Sequence, residues 1–134
     1  MAIFNPGHGV GLRNVGSYQV PGHPFLTGGL IATGEEKVIT FPFVTKNVTV
    51  AASGSTINLR AHFNSTSSAG NVVAGKHYWP LDGDTSAIEF NSKCTKIYIS
   101  CVNASADGGF NVVADLTGID ARHMYELTGA GLTD

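Results

Sequence analysis

The sequence predicts an all-β chain: a single β-sandwich or jelly-roll-like domain with an extended Gly/Pro-rich N-terminal arm and one short C-terminal helix. Three observations lead there. From Glu36 onward apolar residues recur at every second position, the period of a strand with one buried face, while helical periodicity is nearly absent. Clusters of Gly, Asn, Asp and Ser separate the alternating runs, as turns require. The first 34 residues hold eight glycines and three prolines, with Arg13 as their one charge.

In chain order, residues 1–34 read as the arm. Small side chains offset little of the entropy lost on ordering, so another surface must supply the burial. At about 3.3 Å per residue such an arm reaches on the order of 100 Å. Its candidate anchors are Phe4, Leu12, Tyr18, Val20, Phe25, Leu26 and Leu30, with Arg13 placed to pair with a partner carboxylate.

The body is expected over 35–117. Its strands are read at 36–41, 46–52, 57–63, 77–81, 87–90, 95–101 and 110–116. In 46–52, Val48 and Val50 face one side and Asn47 and Thr49 the other. In 57–63, Ile57, Leu59, Ala61 and Phe63 point inward, and Asn58, Arg60 and His62 outward. Ile97, Ile99 and Cys101 form one inward set; Phe110, Val112, Ala114 and Leu116 form another. Turns fall at Ser53-Gly54-Ser55, 64–70, Asp82-Gly83-Asp84 and Asp107-Gly108-Gly109. Short strands at this spacing fit a sandwich or jelly roll. Pro42 and Pro80 suit strand ends or edges. The remainder, 119–134, reads as a helix near 120–125, capped by Thr117 or Asp120, and a small-residue tail.

Composition narrows the function. A chain of 134 residues gives one domain plus an appendage. Net charge is −2 with 13% charged residues, so no basic field exists to attract nucleic acid. Few charges beside 43% hydrophobic residues favour association with a partner or with further copies. The opening MAIFNPGHG lacks the charged and apolar regions of a signal peptide, and no apolar run reaches membrane-spanning length. Synthesis in a cytosol is expected. The sequons at Asn47, Asn64 and Asn103 then carry no glycan. Cys94 and Cys101 fall on opposite faces if one strand holds both, which disfavours a bridge.

No reactive constellation emerges. The five histidines lack metal-ligand spacing. Asp82-Gly83-Asp84 supplies too few carboxylates for a calcium loop. Gly7 to Gly11 follows no strand and opens no helix, so it makes no phosphate cradle. Glu35 and Glu36 are adjacent and read as solvent-facing. No catalytic, cofactor or metal residue is assigned. Tyr78, Trp79 and Tyr98 are weighed as a sugar-stacking set, but adjacent Tyr78 and Trp79 point to opposite faces, so at least one is expected in the core.

The strings VGSYQVPGHPFLTGG (15–29), TFPFVTKNVTV (40–50) and LRAHFNSTSSAGNVVAGKHYWPL (59–81), with FNSKCTKIYIS (90–100) and LTGIDARHMYELTGAGLTD (116–134), resemble small virion structural proteins of tailed bacteriophages. The resemblance implies a non-enzymatic virion part, a capsid decoration or cement protein made in the host cytoplasm. Its partners would be the major capsid protein, or tail proteins, together with further copies of itself. A tail, baseplate or fibre component and a carbohydrate-binding β-sandwich are the alternative roles.

Overall fold

The computed structural model describes residues 11–19, 22–53, 58–67, 69–82, 86–102 and 108–133. The expected anchors Phe4 and Val20, inward Ile57, and most of the Asp82-Gly83-Asp84 turn lie outside these residues.

Eight strands make two antiparallel four-stranded sheets. They are β1 (His23–Ile31), β2 (Glu36–Thr40), β3 (Phe43–Ser53), β4 (Asn58–His62), β5 (Trp79–Asp82), β6 (Ala87–Phe90), β7 (Lys96–Cys101) and β8 (Gly108–Asp120). One sheet has the order β1-β8-β3-β6 and the other β2-β7-β4-β5. Among the described residues two single-turn helices, α1 (Gly16–Gln19) and α2 (Asn71–Ala74), and a 3-10 turn at Ala121–His123 accompany the strands. The first strand pairs with the last, the second with the seventh, the third with the sixth and the fourth with the fifth.

Alternation works as the sequence foretold in β3, β7 and β8. Val48, Val50 and Ala52 meet Phe110, Val112, Ala114 and Leu116 from the same sheet, and Leu59, Ala61, Leu81, Ile97, Ile99 and Cys101 from the other, in one buried cluster. Cys94 joins that cluster because it precedes β7 and escapes the strand's alternation; both cysteines are free and buried. A break in register at Thr45 turns its hydroxyl toward this loop. Thr45 donates to the Ser92 carbonyl at 2.8 Å and accepts the Cys94 N–H at 3.0 Å, satisfying groups that the irregularity would strand.

Part of the segment read as an arm over 1–34 is instead a strand of the body. Residues 23–31 are β1, paired with β8 along its whole length. Phe25 turns inward and meets Phe41 edge to face at 5.2 Å, and Ile31 reaches the core. Gly28 permits close approach: a Cβ there would stand 2.6 Å from Asn111 Nδ2 and 2.7 Å from the Phe110 carbonyl oxygen. Gly22 does the same against the Leu116 carbonyl.

Three further expectations change. The helix near 120–125 is one 3-10 turn; Asp120 caps it through the Arg122 N–H at 2.9 Å. Thr117 is instead inside β8, buried and bonded to the Val44 carbonyl at 2.7 Å, so the body extends past 117 to Asp120. His62 lies on the outward side of β4 as alternation requires, yet its side chain is fully buried.

Candidate functional site

The side of the β1-β8-β3-β6 sheet away from the core mixes polar residues with a few exposed apolar ones and carries few charges. Register places Leu26 beside Val113, Val113 beside Thr49, and Thr49 beside Glu89. The next row runs Gly28, Asn111, Ala51 and Ala87, and Pro24 and Asp115 stand at one end. Leu26 is 74% exposed, Leu30 62% and Val113 38%. Asp115 and Glu89 carry negative charge on this face, and Lys46, exposed at the register break of β3, stands next to Asn47, the residue opposite Asp115.

β1 borders this face and has β8 on one side only. Nine residues of strand therefore offer their other edge without a paired strand among the described residues. Pro24 removes one edge donor, and Lys37 Nζ donates to the Leu30 carbonyl at 2.7 Å near the strand's end, both devices that blunt an edge. The middle of the strand, Leu26 to Gly29, has neither.

The structure divides the predicted anchors. Leu26 and Leu30 share the exposed side of β1, while Phe25 is held by the core. Leu12, Arg13 and Tyr18 belong to a compact turn before β1: the Tyr18 hydroxyl donates to the Leu12 carbonyl at 2.8 Å and the Gly11 N–H to Ser17 Oγ at 3.1 Å. Arg13 is exposed there, at a surface hollow shared with Val15 and His123. Sequence reasoning overlooked Val113, whose signal was an apolar residue out of phase with the inward set of β8.

A second cluster sits on the outer side of the other sheet, where the segment after β4 covers His62. His62 Nδ1 donates to the Asn64 carbonyl at 2.7 Å, so the neutral ring's Nε2 accepts from Ser100 Oγ at 3.0 Å. Tyr98 stacks on the ring at 5.9 Å, and Glu36 Oε1 lies 3.7 Å from the same Nε2. Burial pushes the imidazole below its usual pKa, against the opposing pull of the Asn64 carbonyl and the Glu36 carboxylate. Burial would raise Glu36, but the Thr66 N–H and Ser65 hydroxyl outweigh it and hold the carboxyl below its usual range.

The residue types are those of a serine hydrolase, but the wiring differs. In a working triad the acid orients the imidazole through Nδ1 and the serine meets substrate; here a carbonyl occupies Nδ1 and Ser100 is only 7% exposed. The arrangement fastens β2, β4 and β7 to the loop after β4. Sequence reasoning missed it because the three side chains come from three strands. Among the described residues no group of His, Cys, Asp and Glu gathers at metal-binding distance, and no helix is long and apolar enough to cross a membrane.

Tyr78 is half-buried and Trp79 is 52% exposed, so neither enters the core as adjacency had implied. Trp79 aligns with Ala61 on the inward side but stands at the sheet's last strand, where the cover ends. Compared with protein-family models, characterised proteins and solved structures, the chain matches none.

Proposed function

We propose that this protein is a non-enzymatic structural component of a tailed-phage virion that decorates the capsid exterior, and that its two sheets form a jelly-roll sandwich. The pairing of first strand with last, second with seventh, third with sixth and fourth with fifth supports the jelly roll. It is the pattern made by folding one long antiparallel ribbon around a shared core.

The observation that carries the assembly role is β1: a nine-residue edge strand with Leu26 and Leu30 exposed beside Val113. A long apolar edge is an open template for pairing, which lone soluble domains suppress. A capsid surface with apolar hollows and a cation opposite Asp115 or Glu89 would fit this face. The resemblance of the sequence to small phage virion proteins supports the virion role and favours the capsid over the tail as partner, and repeated copies would add avidity.

Electron cryomicroscopy of the native particle tests the role. Density for this chain in tens to hundreds of copies on the shell, with β1 against the capsid, is the expected result. Copies in threes, sixes or twelves on a tail would reassign it to the tail. Absence from purified particles would end the virion reading.

A further inference from the structure

The edge of β1 that has no paired strand among the described residues carries a definite pattern of main-chain groups. In an antiparallel strand each residue turns its N–H and C=O to one side, and the next residue turns them to the other. The Ala52 N–H donates to the Ser86 carbonyl at 2.8 Å, just before β6. Ala51 therefore faces β8 opposite Asn111, and the residues alternating with Asn111 face β1. Phe110, Val112 and Ala114 meet Gly29, Thr27 and Phe25 there. Pro24, Leu26, Gly28 and Leu30 are left to turn their main-chain groups to the open edge, and the Lys37 bond to the Leu30 carbonyl agrees.

Two positions on this edge are exceptional. Pro24 has no N–H to offer, and the Leu30 carbonyl already accepts from Lys37 Nζ at 2.7 Å. They lie at equal distances on either side of Thr27. When a second β1 pairs antiparallel about a two-fold axis at Thr27, the donorless Pro24 falls opposite the carbonyl that needs no donor. Leu26 and Gly28 of the two copies exchange both bonds, and each Leu30 N–H finds a Pro24 carbonyl. Moving the axis by one residue spoils the match. Centred at Leu26, Pro24 leaves the Gly28 carbonyl without a donor; centred at Gly28, the Leu26 N–H points at the carbonyl that Lys37 holds.

Side chains fit the same register. Leu26 falls against Gly28 of the second copy and Leu30 against its Pro24, so each exposed leucine meets a residue that leaves room for it. Thr27 meets Thr27 across the axis, a favourable cross-strand pair. His23 to Ile31 holds no Asp, Glu, Lys or Arg, so two copies bring no like charges together. We infer that β1 pairs with β1 of a second copy about Thr27, joining two four-stranded sheets into one continuous sheet. This dimer does not rest on the capsid reading, because it uses main-chain groups in the plane of the sheet, whereas shell docking uses the leucine side chains that stand out of it.

Sedimentation velocity of the full-length chain from about 1 to 500 µM reads the association directly. The expected result is a shift from monomer to dimer. Thr27→Cys puts two sulfurs at the axis, at a pair without mutual hydrogen bonds whose Cα atoms stand about 4.5 Å apart, within reach of a disulfide. Mild oxidation should therefore yield a covalent dimer. Gly29→Cys is the register control: its two copies would stand about 14 Å apart along the strands and should not cross-link. Cys94 and Cys101 are buried and do not compete. Leu26→Pro deletes an N–H from the open edge and spares the bonds to β8, so the urea midpoint should hold while the two lost bonds per dimer raise the dissociation constant about thirtyfold. A chain that stays monomeric at the highest concentration overturns the proposal. So does cross-linking of Gly29→Cys as fast as Thr27→Cys, or an equally tight dimer of folded Leu26→Pro; should that variant not fold, the cysteine pair alone decides.

Discussion

Replacing both Leu26 and Leu30 with serine separates attachment from folding. The two side chains are 74% and 62% exposed, so the free protein loses little; surface changes of this kind stay within about 0.5 kcal/mol. Full burial of a leucine is worth roughly 1.5 to 3 kcal/mol. Scaled by the 74% and 62% still open to solvent, covering both would yield about 2 to 4 kcal/mol on docking. That is roughly a 30- to 700-fold loss of affinity for the shell. The assay is co-sedimentation of purified protein with shells that lack it, beside a urea melt of the same preparation. Phe25→Ser is the contrast: its ring packs edge to face on Phe41, so the melt midpoint should fall by an amount equivalent to about 2 to 4 kcal/mol. A double variant that loads shells as tightly as the parent would refute docking through β1.

Acid should weaken the fold through the cluster on the other sheet. His62 and Glu36 both titrate lower in the folded chain than their ordinary 6.5 and 4.5, so the unfolded chain binds more protons as pH falls and stability drops with it. The His62 contribution is complete above about pH 6.5 and declines below it, by at most about 1.4 kcal/mol per pH unit; Glu36 adds a further loss below its unfolded value. Urea midpoints between pH 8 and 4 should trace this decline, and His62→Gln should flatten its upper part; a parent curve level from pH 7.5 to 5 would contradict the buried neutral imidazole. Gly28→Val should lower the urea midpoint by the equivalent of about 1 to 3 kcal/mol, since its Cβ meets Asn111 and Phe110; an unchanged midpoint would mean that β1 sits further from β8. Burial raises the Cys94 thiol and both cysteines are enclosed, so an aromatic disulfide reagent should label them only in urea; rapid labelling of the native protein would place one of them at the surface.

Strands with regular alternation were legible because period two is a local property. Val48 and Val50, Ile97 and Ile99, and the inward set of β8 needed no knowledge of their partners. β1 was illegible for the opposite reason. His23 to Ile31 contains two glycines and a proline, the marks of a pliant arm, and only the approach of Asn111 and Phe110 reveals why Gly28 belongs in a strand. His62 went astray similarly: alternation gave its side of the sheet, but the loop that covers this side is brought there by the tertiary fold. Of the predicted anchors, Leu26 and Leu30 share an exposed face, and Phe25 differs from its neighbour because one step along a strand reverses the side chain.

The amino-acid order by itself determined the all-β class and most strand positions, because alternation acts over a few residues. The tertiary structure decided which strands pair, which outward residues are covered, and that β1 lies at the edge of its sheet. Such pairings depend on surfaces far apart in the chain meeting around a common core, and no short window of sequence records where a distant segment comes to rest.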